Sequence, residues 1–373
     1  MDFTIHKGER QSVSKSYLWP ALNRPNLFVT EQTFVTKIIF DKKRAIGVEF
    51  VELGGQKLWD SARVDAGVRS KCYAEADVIL CGGAINTPHL LLLSGVGAAQ
   101  ELRDHLEVYI QYACKKPITL YNKSSWRFPH NMIRIGAQWF LTKTGLGASS
   151  HLESGGFVRS APGVPYPDVQ FHFLPSSVHD HGRVSGNQHA YQVHVGPMRA
   201  TSRGTIRLYS NDPRDHPLID PNYMDTEADW KTFRECVHIA RDLMTQPAFD
   251  DYRGDELQPG VHCASDEQID EFIRDKADTA YHPSCTCKMG PSTDALAVVD
   301  PLTMKVHGLD GLRIVDASVM PNIVTGNLNA AVVMLAERAA DLIGHGKQRL
   351  APESPEIWRP PTLENTKPEL ANE

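Results

Sequence analysis

Residues 27–52, LFVTEQTFVTKIIFDKKRAIGVEFVE, alternate apolar and polar positions and are rich in β-branched side chains. A period of two puts every second side chain on one face, so the segment predicts two strands, with DKKRAIG as the turn between them. In ADVILCGGAINTPHLLLLSGVG a short apolar run, Val78 to Leu80, meets Gly82 and Gly83 and then a helix expected to start at its proline. The pattern reads strand, glycine turn, helix.

Residues 110–290 differ in texture. Short alternating runs, DVQFHFLP, YQVHVGPM and GTIRLYS, are joined by one clear helical stretch, EADWKTFRECVHIARDLMTQ. That mixture predicts an antiparallel sheet with helices on one side. From 297 to 345 the strand–turn–helix pattern returns, in LRIVDASVMP and then NLNAAVVMLAERAADLI, where Ala331, Leu335, Ala339 and Leu342 share one helical face. The expected fold class is therefore α/β plus α+β. Residues 1–109 and 296–346 form one domain, 110–295 a second, and 347–373, rich in Pro and Glu, an extended tail.

Composition narrows the function. The 373 residues are 41% hydrophobic and 23% charged, with a formal net charge of -6 and no Lys/Arg cluster, which excludes nucleic acid as a main partner. The start, MDFTIHKGERQSVSKSYLWPAL, carries neither a signal-peptide apolar run nor an Arg-rich transit helix. No transmembrane span is expected either, because LLLLSGVG is short and AAVVMLAERAADLI is interrupted by Glu337 and Arg338.

The segment AYHPSCTCKMGP, residues 280–291, puts His282, Cys285 and Cys287 within six positions. A zinc site would need a second ligand pair, and the remaining cysteines, Cys72, Cys81, Cys114, Cys236 and Cys263, stand singly. No metal site is expected, and the seven cysteines read as reduced thiols. The two strand-end turns are more suggestive. Gly82-Gly83 and Val315-Asp316-Ala317-Ser318 each bring backbone N–H groups to a helix start, a geometry that suits phosphate, although tight turns also need glycine and Asp is a good helix cap.

The sequence CGGAINTPHLLLLSGVG resembles the second signature of the glucose-methanol-choline (GMC) oxidoreductases. HPSCTCKMGP, AVVDP and GLRIVDASVMPNIVTGNLNAAVVMLAERAADLI together resemble that family's C-terminal flavin-contacting block. HLESGGFVRSAPGVPYPDVQFHFLP and YQVHVGPMRATSRGTIRLYSNDPRDHPLIDPNY extend the likeness, closest to the choline-oxidising members, over almost the whole chain. The resemblance implies a partial FAD-binding Rossmann-like domain packed on an antiparallel-sheet substrate domain. It implies FAD as cofactor and a small primary alcohol, choline, as substrate; another alcohol, or a non-catalytic fragment, stays open. Electrons would pass to a respiratory acceptor, and the location would be mitochondrial, at the inner membrane.

By the same resemblance His282 is the base at the alcohol oxygen and Asn329 its partner. Val35, Ala84, Asp316, Ala317 and Asn327 border the cofactor. Glu153 is the acid for a quaternary ammonium and Tyr281 an aromatic face for it, with Trp126 and Trp139 as further rings. The family's opening strand and G-x-G-x-x-G turn do not occur in these 373 residues: GVGAAQ and GLGASS lack the third glycine. The stretch from Gly97 to Asp104 is also shorter than the family's second glycine turn requires. FAD binding is therefore expected to be weak or absent.

Overall fold

In the computed structural model the described residues are 4–53, 69–97, 99–152, 154–179 and 184–346. Two of the alternating runs, DVQFHFLP and YQVHVGPM, join one antiparallel sheet in the order Arg253–Gln258, Leu106–Cys114, Ala190–Pro197, Val169–Leu174 and Ser154–Val158, with Asp278–Thr279 also pairing to Leu106–Cys114. The third, GTIRLYS, instead supplies Gly204–Arg207 to a separate sheet between Leu218–Asp220 and Ala99–Leu102. One face of the larger sheet is apolar. Val108, Ile110, Tyr191, Val193, Val195 and Val169 pack against Phe233, Val237 and Met244 of the helix Glu227–Thr245 and against Ile269 and Ile273 of the helix Asp266–Lys276. Both helices are capped by their sequence: Thr226 accepts from the Asp229 N–H, and Ser265 with Gln268 forms a reciprocal capping box.

The second core lies where the strand–turn–helix patterns meet. Val78–Leu80 pairs in parallel with Leu312–Ile314, and the helices Gly83–Leu93 and Leu328–His345 pack with the antiparallel ribbon Thr33–Asp41/Arg44–Glu52 around Ile38, Leu80, Leu91, Leu312, Ile314 and Leu335. Ala339 is buried there and Leu342 packs against it, as the helical spacing predicts. Along the strand Val78–Leu80 opens a cavity of about 580 Å³ lined largely by apolar side chains, including Val35, Val48, Ile79 and Leu90.

Three expectations need correction. The first ribbon strand starts at Thr33 rather than Leu27. The boundary placed at 109/110 falls inside the strand Leu106–Cys114, which belongs wholly to the antiparallel sheet. The helix after the glycine turn begins at Gly83, with Pro88 inside it rather than at its start. A proline there leaves the carbonyl four residues earlier, that of Ala84, without its helical donor. The Thr286 hydroxyl donates to that oxygen at 2.7 Å, so the helix accommodates the proline by binding the His282 segment. The expected tail, 347–373, lies outside the described residues.

Candidate active site

His282 sits on a turn held on both sides by backbone. Ala280 N–H donates to the His105 carbonyl at 2.9 Å, and Ser284 and Arg103 exchange bonds at 2.9 and 3.1 Å. Cys285 N–H then donates to the Ala317 carbonyl (3.1 Å), and Cys287 N–H to that of Ser318 (2.9 Å). Tyr281 and Cys285 have φ of 60° and 72°, left-handed values that non-glycine residues adopt only when surrounding contacts over-determine them. The Cys285 and Cys287 side chains are fully buried in two adjoining apolar clusters, where they pack as small hydrophobes.

Asp104 is the knot of this arrangement. Its carboxylate accepts from His105 N–H (2.9 Å), His282 N–H (2.8 Å), the Tyr223 hydroxyl (2.6 Å) and the Thr279 hydroxyl (2.5 Å). The next residue, His105, is wholly buried, and its Nδ1 lies 3.0 Å from Nδ1 of His282, with the two rings edge to face. Its other nitrogen, Nε2, faces the Met198 carbonyl at 3.3 Å. Burial, reinforced by His282, pushes the His105 pKa down to about 4, and burial also lowers that of His282.

This makes a prediction for stability. His105 stays neutral in the fold while the unfolded chain takes up a proton near pH 6.5, so its contribution is complete above 6.5 and is lost as the pH falls towards 4. The full loss is about 3 kcal/mol, and the lowered values of His172 and His282 act in the same direction. Urea unfolding at neutral and mildly acidic pH is expected to show this fall, and a His105→Asn chain a smaller one.

The polar face of the large sheet adjoins His282. Register aligns His172 with His194, His194 with Tyr109, and Gln192 with Gln111 across three strands. Glu107 pairs with Nδ1 of His194 at 3.1 Å, the Tyr109 and His194 ring centroids lie 4.1 Å apart with the planes tilted by 31°, and Gln192 bonds Nε2 of His194. Gln170 donates to Asn327 Oδ1 at 2.7 Å and meets Nε2 of His172 at 3.1 Å. The carboxylates whose charge acts on His282 are Asp104 and Glu107. Asp104 is occupied by four donors, whereas Glu107, paired with His194, lies on this polar face.

The turn residues converge as well. Asp316 clamps the two strand ends: Oδ2 accepts from Gly83 N–H (3.0 Å) and the Thr87 hydroxyl (2.6 Å), and Oδ1 from Ser318 N–H (2.8 Å). Gly83 has φ +82° and open space where a side chain would stand. Asn327 occupies the cap position of the 18-residue helix Leu328–His345 but does not cap it, because its side chain is turned to Gln170.

Two family models match. One for the N-terminal part of the GMC oxidoreductases covers residues 1–114, and one for their C-terminal part covers 200–336. The chain belongs to the GMC oxidoreductases. It is 51% identical to the mitochondrial choline dehydrogenase of Mus musculus, over 98% of this chain and 61% of the mouse protein. It is 46% identical to the oxygen-dependent choline dehydrogenase of Escherichia coli O6:K15:H31, over 94% of this chain and 63% of that protein. A solved formate oxidase variant from Aspergillus oryzae, 24% identical, shares the fold with a TM-score of 0.79, covering 92% of this chain and 65% of its own. This chain thus spans less than two thirds of the length of these relatives.

Within this GMC frame, the residues expected from sequence fall into groups. Val35 lines the large cavity together with Gly82 and Thr87, and Ala84, Asp316 and Ala317 lie in the bonded turns beside the His282 segment. Asn329 is exposed on the first turn of the last helix, and Tyr281, 66% exposed, stands beside His282. Glu153 lies outside the described residues. The two tryptophans do not join the site: Trp126 is 74% exposed, and Trp139 bonds the Gly8 carbonyl with Lys143 over its ring. Sequence reasoning missed Asp104, His105, Glu107, Tyr109, His172 and His194. The signal for the last four was the alternation of polar with apolar residues in LEVYIQYA, DVQFHFLP and YQVHVGPM.

Proposed function

We propose that this chain carries the alcohol-binding and proton-accepting half of an FAD-dependent oxidation of choline to betaine aldehyde. The observation that carries the reading is His282, half-buried, kept neutral by desolvation and held against a buried neutral histidine at the edge of a polar sheet face. FAD, when bound, supplies the two-electron acceptor for the alcohol carbon. Three features suit that cofactor: the open ground above Gly83, the parallel strand ends clamped by Asp316, and the helix Leu328–His345 that starts without a side-chain cap. Gly82 to Ala84, Asp316 and Ala317 would meet it through backbone, with Val35 at its adenine end and Asn327 near its ring. The strand Val78–Leu80 has Leu312–Ile314 as its only strand neighbour among the described residues, and a cavity opens along it, so FAD is held weakly.

His282 takes the hydroxyl proton, and a lowered pKa leaves its ring free to do so at neutral pH. Asn329 donates to the same oxygen as charge develops there. A quaternary ammonium offers no N–H, so its recognition rests on an aromatic face and a carboxylate. Tyr109 and Glu107 supply both beside His194, and the exposed ring of Tyr281, next to His282, is a second aromatic face. The two mammalian relatives named mitochondrial support the same location for this chain, with electrons passing from FAD to a respiratory acceptor.

Calorimetric titration of the purified chain with choline, without FAD, tests the recognition step. Glu107→Gln is expected to weaken binding about tenfold, near 1.4 kcal/mol. Equal affinity for choline and for its uncharged tert-butyl analogue would show that no cation is recognised here.

A further inference from the structure

We infer that His105 is a positioning residue that fixes the ring tautomer of His282, so that Nε2 of His282 is the atom that accepts the alcohol proton. The inference rests on the reading of His282 as the base and extends it to one nitrogen. His105 has no solvent exposure, and a backbone carbonyl, that of Met198, faces its ring. Nε2 of His105 lies 3.3 Å from the Met198 oxygen, which can only accept, so that nitrogen carries the hydrogen. A neutral imidazole has one N–H, so Nδ1 of His105 is left with a lone pair. Nδ1 of His282, 3.0 Å away, must then be the donor. The opposite arrangement would set the His105 Nε2 lone pair against a carbonyl lone pair with no solvent to relieve it.

The consequence follows at the far side of the His282 ring. With the hydrogen on Nδ1, Nε2 presents its lone pair, accepts the O–H proton and becomes N–H, while the Nδ1–H bond to His105 is unchanged. The resulting imidazolium keeps an acceptor for its second N–H, which stabilises the charged form as it appears. Asp104 supports the geometry from the backbone, since one oxygen of its carboxylate accepts both the His105 and the His282 N–H. The pair is thus a histidine oriented by a histidine, in place of the carboxylate that more often orients a catalytic imidazole.

The test reads protonation rather than turnover. In ring-¹⁵N-labelled chain at neutral pH, with a His282→Gln sample to assign the signals, His282 is expected to show one tautomer, protonated at Nδ1. His105→Phe removes the acceptor and is expected to give His282 a mixture of tautomers. His105→Asn, whose side-chain oxygen takes the place of Nδ1, is expected to restore the single form, and thermal melting checks that both variants fold. His282 protonated at Nε2 in the unaltered chain, or unchanged by His105→Phe in a folded protein, would overturn the inference. Neither readout needs FAD or choline. Failure to bind choline with the expected tautomers intact would count against the proposed substrate alone.

Discussion

Replacing His282 with alanine is expected to slow alcohol oxidation by roughly 10²–10⁴-fold, the usual worth of a positioned general base. The protein should remain folded. The turn that carries His282 is held by backbone bonds to Arg103, His105, Ala317 and Ser318 and by the N–H to Asp104, none of which uses the imidazole. Turnover with choline, at FAD in excess, measures the first effect, and a thermal melt measures the second. A loss of turnover accompanied by unfolding would assign His282 to the scaffold instead.

Asp104→Ala is expected to act the other way, chiefly on stability. Four donors from three parts of the chain converge on this buried carboxylate, and alanine leaves them without an acceptor. Unsatisfied buried donors cost about 1–3 kcal/mol each, although relaxation of the two hydroxyls should hold the total to about 3–5 kcal/mol. Asp104→Asn retains an oxygen and should lose less. The shift of the urea midpoint at constant slope measures both.

Much of this architecture could be read from the chain. Alternation predicted the ribbon Thr33–Asp41/Arg44–Glu52 and the strands Val169–Leu174 and Ala190–Pro197, and helical spacing predicted the buried face of Leu328–His345. What periodicity cannot distinguish is a polar face turned to water from one covered by the rest of the protein. Gln111, Gln170 and Gln192 alternate as solvent-facing residues would, yet each is almost fully buried. The same ambiguity hid Glu107, Tyr109, His172 and His194.

Long-range partners were hidden for a different reason. Asp104 and His105 reach His282 across nearly half the chain, and nothing in LRDHLE marks either residue as special. Pro88 shows a local rule overridden by a distant contact. Proline favours the first turn of a helix, but here Thr286, far along the sequence, takes the carbonyl that an interior proline leaves free. His282 is read as the base from its family motif; in the structure its Nδ1 lies 3.0 Å from that of His105, and burial lowers its pKa.

The most direct test of the account is an anaerobic mixture of the purified chain, FAD in excess and choline, followed by flavin absorbance. The account predicts bleaching that requires choline, falls by orders of magnitude with His282→Ala, and does not occur with the tert-butyl analogue at the same concentration. Choline-dependent bleaching that proceeds equally well without the His282 imidazole, or no bleaching at saturating FAD and choline, would contradict it.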